Sequence, residues 1–272
     1  MFKTGPKIVF IDLDDTLLND DKMVSDENKY ALQDWLEAGN YVAIATGRSE
    51  VSSFPIMEEL DLMKKGCYLV GYQGGVSYDA STKEKLHSTY LNNDAAIDLL
   101  NAIYDAGLYA HTFNDDIMLV PNECDNMMKY WSITRVPYKV FNRTEELRGM
   151  NLFKVIAVAY DYPEELVKFQ QKYMEKENGV LQSFFSSPYF LEYTPFGSGK
   201  GVGIMKLSEI IGIPRENVIA IGDERNDISM IEAAGIGVCM KNGHPDAKAV
   251  ADYITENDHN NSGVAEVIYK YI

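Results

Sequence analysis

Both ends of the chain alternate short apolar runs with stretches of helical period, and this rhythm limits the fold more than any other feature. Residues 7–11 read as a strand whose continuous apolar character suits burial on both faces. A helix is expected over 25–38: Ser25 is a suitable N-cap, Ala31/Trp35 and Leu32/Leu36 recur four apart, and Gly39 stops it. Residues 41–45 and 68–70 read as the next strands. The alternation resumes late in the chain, with a helix over 201–211, a strand over 218–221, a helix over 226–234 and a strand over 236–240. Such a βαβα order implies an α/β fold with a parallel, doubly wound, Rossmann-like sheet.

The middle of the chain follows another pattern. A helix over 94–106 is closed by Gly107, and strands over 108–113 and 117–120 are joined by Asn114-Asp115-Asp116, a composition that suits a hairpin. A helix over 124–132, a strand over 152–160, a helix after Pro163 and strands over 181–185 and 189–193 complete it. This is the signature of an α+β unit. The expected division is a core domain of residues 1–84 and 191–272 with an inserted α+β domain over 85–190.

The chemistry-bearing residues fall at the ends of the expected core strands. Asp12-Leu13-Asp14-Asp15-Thr16 follows the first strand directly. Side chains two apart in extended chain project together, so Asp12 and Asp14 share the carboxyl end of the sheet, where open α/β folds bind ligands. Two adjacent carboxylates repel unless a cation or proton lies between them. The pair therefore suits a metal or acid/base site, or else a solvated acidic loop. Thr46 and Gly47 end the second strand and could meet a phosphate through a hydroxyl and backbone N–H groups, or simply cap the next helix. Gly222-Asp223-Glu224-Arg225-Asn226-Asp227 reaches the same edge, and hard oxygen donors on such a turn suit Mg²⁺, with helix capping as the alternative. Lys200 opens a late helix and could hold a phosphoryl group or lie in solvent. Its surroundings are not a nucleotide P-loop, because Thr194 and Gly201 occupy positions that need Gly and Ser or Thr.

Taken together, Asp12-x-Asp14-x-Thr16, Thr46, Lys200 and Gly222-Asp223-x-x-Asn226-Asp227 resemble the four ordered motifs of the haloacid dehalogenase (HAD) superfamily. Ala45-Thr46-Gly47-Arg48, Lys200-Gly201 and the tail 251–255 followed by Gly263-Val264-Ala265 are similar to its Cof-type phosphatases. Thirty-two positions separate Asp14 from Thr46 and 154 separate Thr46 from Lys200, so the insertion falls where that group carries its α/β cap of the second class. Tyr72-Gln73-Gly74-Gly75 departs from the resemblance, since Asn-Gly is common there.

The resemblance implies a Mg²⁺-dependent phosphatase acting on small phosphorylated metabolites, such as sugar phosphates, through an aspartyl-phosphate. Asp12 would be the nucleophile and Asp14 the general acid and base. The metal would be held by the carboxylates of Asp12 and Asp223 and the backbone carbonyl of Asp14. Thr46, Gly47, Lys200 and Asn226 would bind the phosphoryl oxygens, and Asp227 would orient this shell. Alternatives on the same fold are a phosphomutase and a non-catalytic phosphate-binding regulatory module. Related mutases carry the other cap class, and a module that had lost catalysis would be expected to lack Asp12 or Asp14.

Composition narrows the partners. With 25 basic and 41 acidic residues the net charge is −16, which argues against nucleic acid or an anionic membrane as a partner. No apolar run approaches the ~18 residues of a membrane span, no signal-peptide core is visible, and three scattered cysteines lack a Cys-x-x-Cys pair. A cytoplasmic location is the expectation. The four histidines show no metal-binding spacing.

Overall fold

The computed structural model describes residues 2–115, 117–177 and 179–272, without the side chain of Glu175. Five strands come first: β1 (Ile8–Ile11), β2 (Tyr41–Ala45), β3 (Cys67–Gly71), β4 (Val76–Asp79) and β5 (Lys85–Ser88). Six follow in the middle: β6 (Tyr109–Phe113), β7 (Met118–Val120), β8 (Tyr138–Val140), β9 (Val155–Val158), β10 (Leu181–Ser187) and β11 (Phe190–Pro195). The last three are β12 (Val218–Gly222), β13 (Ile236–Cys239) and β14 (Tyr253–Ile254).

The chain divides into two compact units, one of Met1–Ser88 with Ser198–Ile272 and one of Thr89–Gly197. Strand pairing explains where these joints lie relative to the sequence expectation of 84/85 and 190/191. β5 pairs with β4 and so stays with the first unit, whereas β11 pairs with β9 and β10 in the second.

In the first unit the sheet order is β14-β13-β12-β1-β2-β3-β4-β5. Pairing is parallel from β14 to β3, and the antiparallel strands β4 and β5 extend that edge. The chain winds outward from β1 through β2 and β3, then restarts at β12 on the other side of β1. The order therefore reverses between β1 and β12, the place where doubly wound sheets open a ligand crevice at their carboxyl ends. β1 is buried along its whole length, as its unbroken apolar sequence requires.

Local signals set the helix boundaries. Helix Asp26–Glu37 starts where the Ser25 hydroxyl accepts from the Asn28 N–H at 3.2 Å, and it buries Asn28, Ala31, Leu32 and Trp35. The single helix expected over 226–234 is instead a 3-10 turn, Arg225–Asp227, followed by helix Ile228–Ala233. The reason is reciprocal capping between Glu224 and Asp227. Helix Glu50–Glu59 had no clear sequence signal, since Pro55 lies inside it.

The second unit has a sheet of order β10-β11-β9-β6-β7-β8, antiparallel except for β7 with β8. Leu99, Leu100, Ile103, Ala157, Leu166 and Leu191 belong to the apolar cluster that unites its helices and sheet. The expected hairpin linker includes Asp116, which lies outside the described residues. Among the described residues the three cysteines are free, and no helix is long and apolar enough to cross a membrane.

Replacing Ser25 with Ala removes the side-chain acceptor that starts the first helix. Urea denaturation should show a loss of about 1 kcal/mol, the usual cost of deleting an N-cap; an unchanged midpoint would contradict this account of the helix start.

Candidate active site

The parallel register brings the distant motifs together. Ile11 aligns with Ile44 on one side and Ile221 on the other, so the segments after β1, β2 and β12 leave the sheet side by side. The Asp12 N–H donates to the Ile221 carbonyl at 3.0 Å, extending the ladder by one residue into the site.

Lys200 is the first residue of helix Lys200–Ile211, and its side chain is fully enclosed. Its ammonium donates to Asp12 Oδ1 at 2.6 Å and to Asp227 Oδ1 at 2.5 Å. Burial alone would drive this lysine toward neutrality, but the two carboxylates outweigh it and hold its pKa above the ordinary value. Asp227 is engaged at both ends, because its Oδ2 accepts from the N–H groups of Asp223 (2.9 Å) and Glu224 (3.1 Å). It therefore ties the helix-borne lysine to the loop after β12. Thr16 donates to Asp223 Oδ1 at 2.6 Å, tying the same loop to the segment after β1.

Carboxylate atoms of Asp12, Asp223 and Asp227 all lie within 4.8 Å of one another. Burial, followed by the Asp227 charge, pushes the Asp223 carboxyl up to about 7. Asp12 is likewise raised, by burial first, against the opposing pull of Lys200. Among the described residues Lys200 is the cation paired with this group, and one ammonium does not neutralise three carboxylates. Excess negative charge on hard oxygen donors fits a small divalent cation. Asp12 and Asp223 are the better placed ligands, since both Asp227 oxygens are already in use.

The Asp14 carboxylate stands outside that cluster. Arg48 grips it with two bonds, Nε to Oδ2 at 2.9 Å and Nη2 to Oδ1 at 2.6 Å, and the Lys22 ammonium is 3.6 Å from Oδ1. Burial would raise the Asp14 carboxyl, but these two cations prevail and hold it below the usual range. Thr46 is buried, and its hydroxyl accepts from the Arg48 N–H at 3.2 Å, which tightens the turn around Gly47. Asn226 is half-buried in the 3-10 turn, with its Nδ2 donating to Gln73 Oε1 at 3.3 Å.

Sequence spacing gave Thr16 no role of its own, and it showed neither the Arg48 clamp on Asp14 nor the approach of Gln73 to Asn226. Each contact joins segments from different strands. The structure also brings His259 to Asp20, with Nε2 2.9 Å from Oδ1, a pairing across 239 positions that no local spacing rule detects.

The raised Asp223 carboxyl has a consequence for stability. In the folded protein it keeps its proton up to about pH 7, whereas in the unfolded chain it loses it near 3.8. Its stabilising contribution is therefore complete below the unfolded value and is lost as pH rises through the folded one. With a chelator present, Asp223→Asn should gain stability relative to wild type between about pH 4 and pH 7. Parallel melting-temperature curves for the two proteins over that range would refute the assignment.

Comparison with known proteins agrees with this architecture. A family model for haloacid dehalogenase-like hydrolases matches residues 9–268. A protein of Streptococcus pyogenes serotype M6 named as a candidate phosphatase is 32% identical over 273 residues, covering 98% of each chain. The 5-amino-6-(5-phospho-D-ribitylamino)uracil phosphatase YcsE of Bacillus subtilis is 29% identical over 270 residues, covering 98% of this chain and 96% of its own. The crystal structure of a haloacid dehalogenase-like hydrolase from Bacteroides thetaiotaomicron superposes with a TM-score of 0.88 at 30% identity, covering 98% of this chain and all of the other. A family match along nearly the whole chain and a close superposition on a solved member have one explanation: the protein belongs to the haloacid dehalogenase-like hydrolase family.

Proposed function

We propose that the protein is a Mg²⁺-dependent phosphatase that hydrolyses small phosphorylated metabolites, sugar phosphates or similar, through an aspartyl-phosphate on Asp12. The observation that carries this reading is the enclosed Lys200 ammonium, 2.6 Å from Asp12 Oδ1, beside the Asp223 carboxylate. It combines a nucleophile paired with a cation, a positive charge for phosphoryl oxygens and ligands for a hard cation. The phosphatase names of the relatives support the reaction class, and the naming of YcsE for a phosphorylated small molecule supports the substrate class.

In the first step an oxygen of the Asp12 carboxylate bonds to phosphorus as the ester P–O bond breaks, and Asp14 passes a proton to the departing alcohol oxygen. In the second, water attacks the same phosphorus and Asp14 takes its proton. Cleavage of the bond to Asp12 then releases inorganic phosphate and restores the carboxylate. Thr46, Gly47, Lys200 and Asn226 bind the phosphoryl oxygens, while Asp227 orients Lys200 and the Asp223 loop. Asp12, Asp223 and the main-chain carbonyl of Asp14 would hold magnesium, which would supply positive charge to offset the repulsion between a carboxylate and an anionic phosphate. Arg48 must release Asp14 for that carboxyl to carry a proton, since the ion pair favours its charged form.

Hydrolysis of p-nitrophenyl phosphate, followed by a panel of phosphorylated metabolites, tests the proposal. Wild type should turn over only with Mg²⁺ present. Asp12→Asn should lose roughly three orders of magnitude or more, as removal of a covalent nucleophile does. For Asp14→Asn the expected loss is roughly 10²–10⁴-fold, the range of general acid–base catalysis. Turnover that survives in purified Asp12→Asn would refute the aspartyl-phosphate route.

A further inference from the structure

The turn after β3 is the most strained segment of the first unit. Tyr72, Gln73 and Gly74 have φ of 49°, 58° and 91°, three consecutive left-handed residues of which only the last is glycine. Non-glycine residues in this region are strained and persist where surrounding contacts impose them. Here the contacts are specific. The Gln73 N–H donates to the Thr46 carbonyl at 3.1 Å, and the Tyr72 N–H donates to the Arg48 carbonyl at 3.0 Å. Gly74 packs so tightly on the residue before Lys200 that a Cβ would lie 2.2 Å from the Gly199 carbonyl oxygen.

This turn drives a long polar side chain inward. Gln73 is 5% exposed, and its carboxamide lies between two residues of the proposed phosphoryl pocket. On one side the amide packs directly over Gly47, where a Cβ would stand 2.7 Å from Gln73 Nε2. On the other, Gln73 Oε1 accepts from Asn226 Nδ2 at 3.3 Å, while Asn226 Oδ1 is buried without a hydrogen-bond partner. That bond is the one side-chain partner that Asn226 has among the described residues, so it sets which way the Asn226 amide faces.

We propose that Gln73 is a positioning residue for phosphate recognition. By accepting one Nδ2 hydrogen of Asn226 it holds the other toward the phosphoryl oxygens, and by filling the space above Gly47 it couples the loop after β2 to the loop after β12. The inference rests on the phosphatase reading, in which Asn226 binds phosphate.

The test is a double-mutant cycle of Gln73→Met and Asn226→Ala, read by inorganic phosphate affinity with Mg²⁺ present and by kcat and KM separately. Gln73→Gly, which suits the left-handed backbone, serves as a second variant whose fold is not in question on steric grounds. Both Gln73 variants should weaken phosphate binding roughly three- to tenfold, the worth of one neutral hydrogen bond, with melting temperatures that do not follow that order. In the Asn226→Ala background Gln73→Met should add almost nothing. Equal losses with and without Asn226, or phosphate affinity unchanged in both Gln73 variants, would overturn the role. A wild-type protein that binds no phosphate and hydrolyses no ester would overturn the underlying phosphatase reading, and the positioning role with it.

Discussion

One enclosed ion group organises this molecule. The Lys200 ammonium has no contact with solvent and lies between Asp12 and Asp227, so segments after β1 and β12 and the start of a helix are held by a single charge. A buried cation without partners would be expelled or neutralised, and buried carboxylates without a cation would take up protons. Each element therefore depends on the others being in place. The remaining excess of negative charge leaves the Asp12, Asp223 and Asp227 carboxylates, which lie within 4.8 Å of one another, suited to a hard cation.

Asp12 and Asp14, two residues apart, have opposite environments. Burial among other carboxylates raises Asp12, whereas Arg48 and Lys22 hold Asp14 down. This division follows from position. Asp12 ends the β1 ladder beside Lys200, and Asp14 lies past it, where the turn after β2 presents Arg48. Arg48 thus joins the Thr46–Gly47 turn to the proposed acid and base, while Gln73 joins the same turn to Asn226. The loops after β2 and β3 serve as a frame for groups carried by β1 and β12.

Much of this was legible beforehand because it depends on local pattern. Continuous apolar runs, Ser25 before a helical stretch and Gly39 after it are short-range signals, and the elements they mark are present in the fold. The weaker signals were short or mixed: β4 and β5 have four residues each with polar interruptions, and Pro55 obscured a helix that the fold nonetheless accommodates. The joints between the units also shifted, because strand membership is decided by hydrogen-bond partners and not by composition.

What the sequence by itself determined is the set of strand-end motifs, their order and the family they resemble, since these follow from residue type at fixed spacing along one chain. Only the tertiary structure decided how those motifs meet: Thr16 on Asp223, Arg48 on Asp14, Asp227 on Lys200 and Gln73 against Gly47 and Asn226. Each is a contact between residues at least 26 positions apart, and it depends on which strands lie side by side and on how much water their packing excludes. Neither quantity is a property of a local stretch of sequence, so the electrostatics of the site arise with the fold.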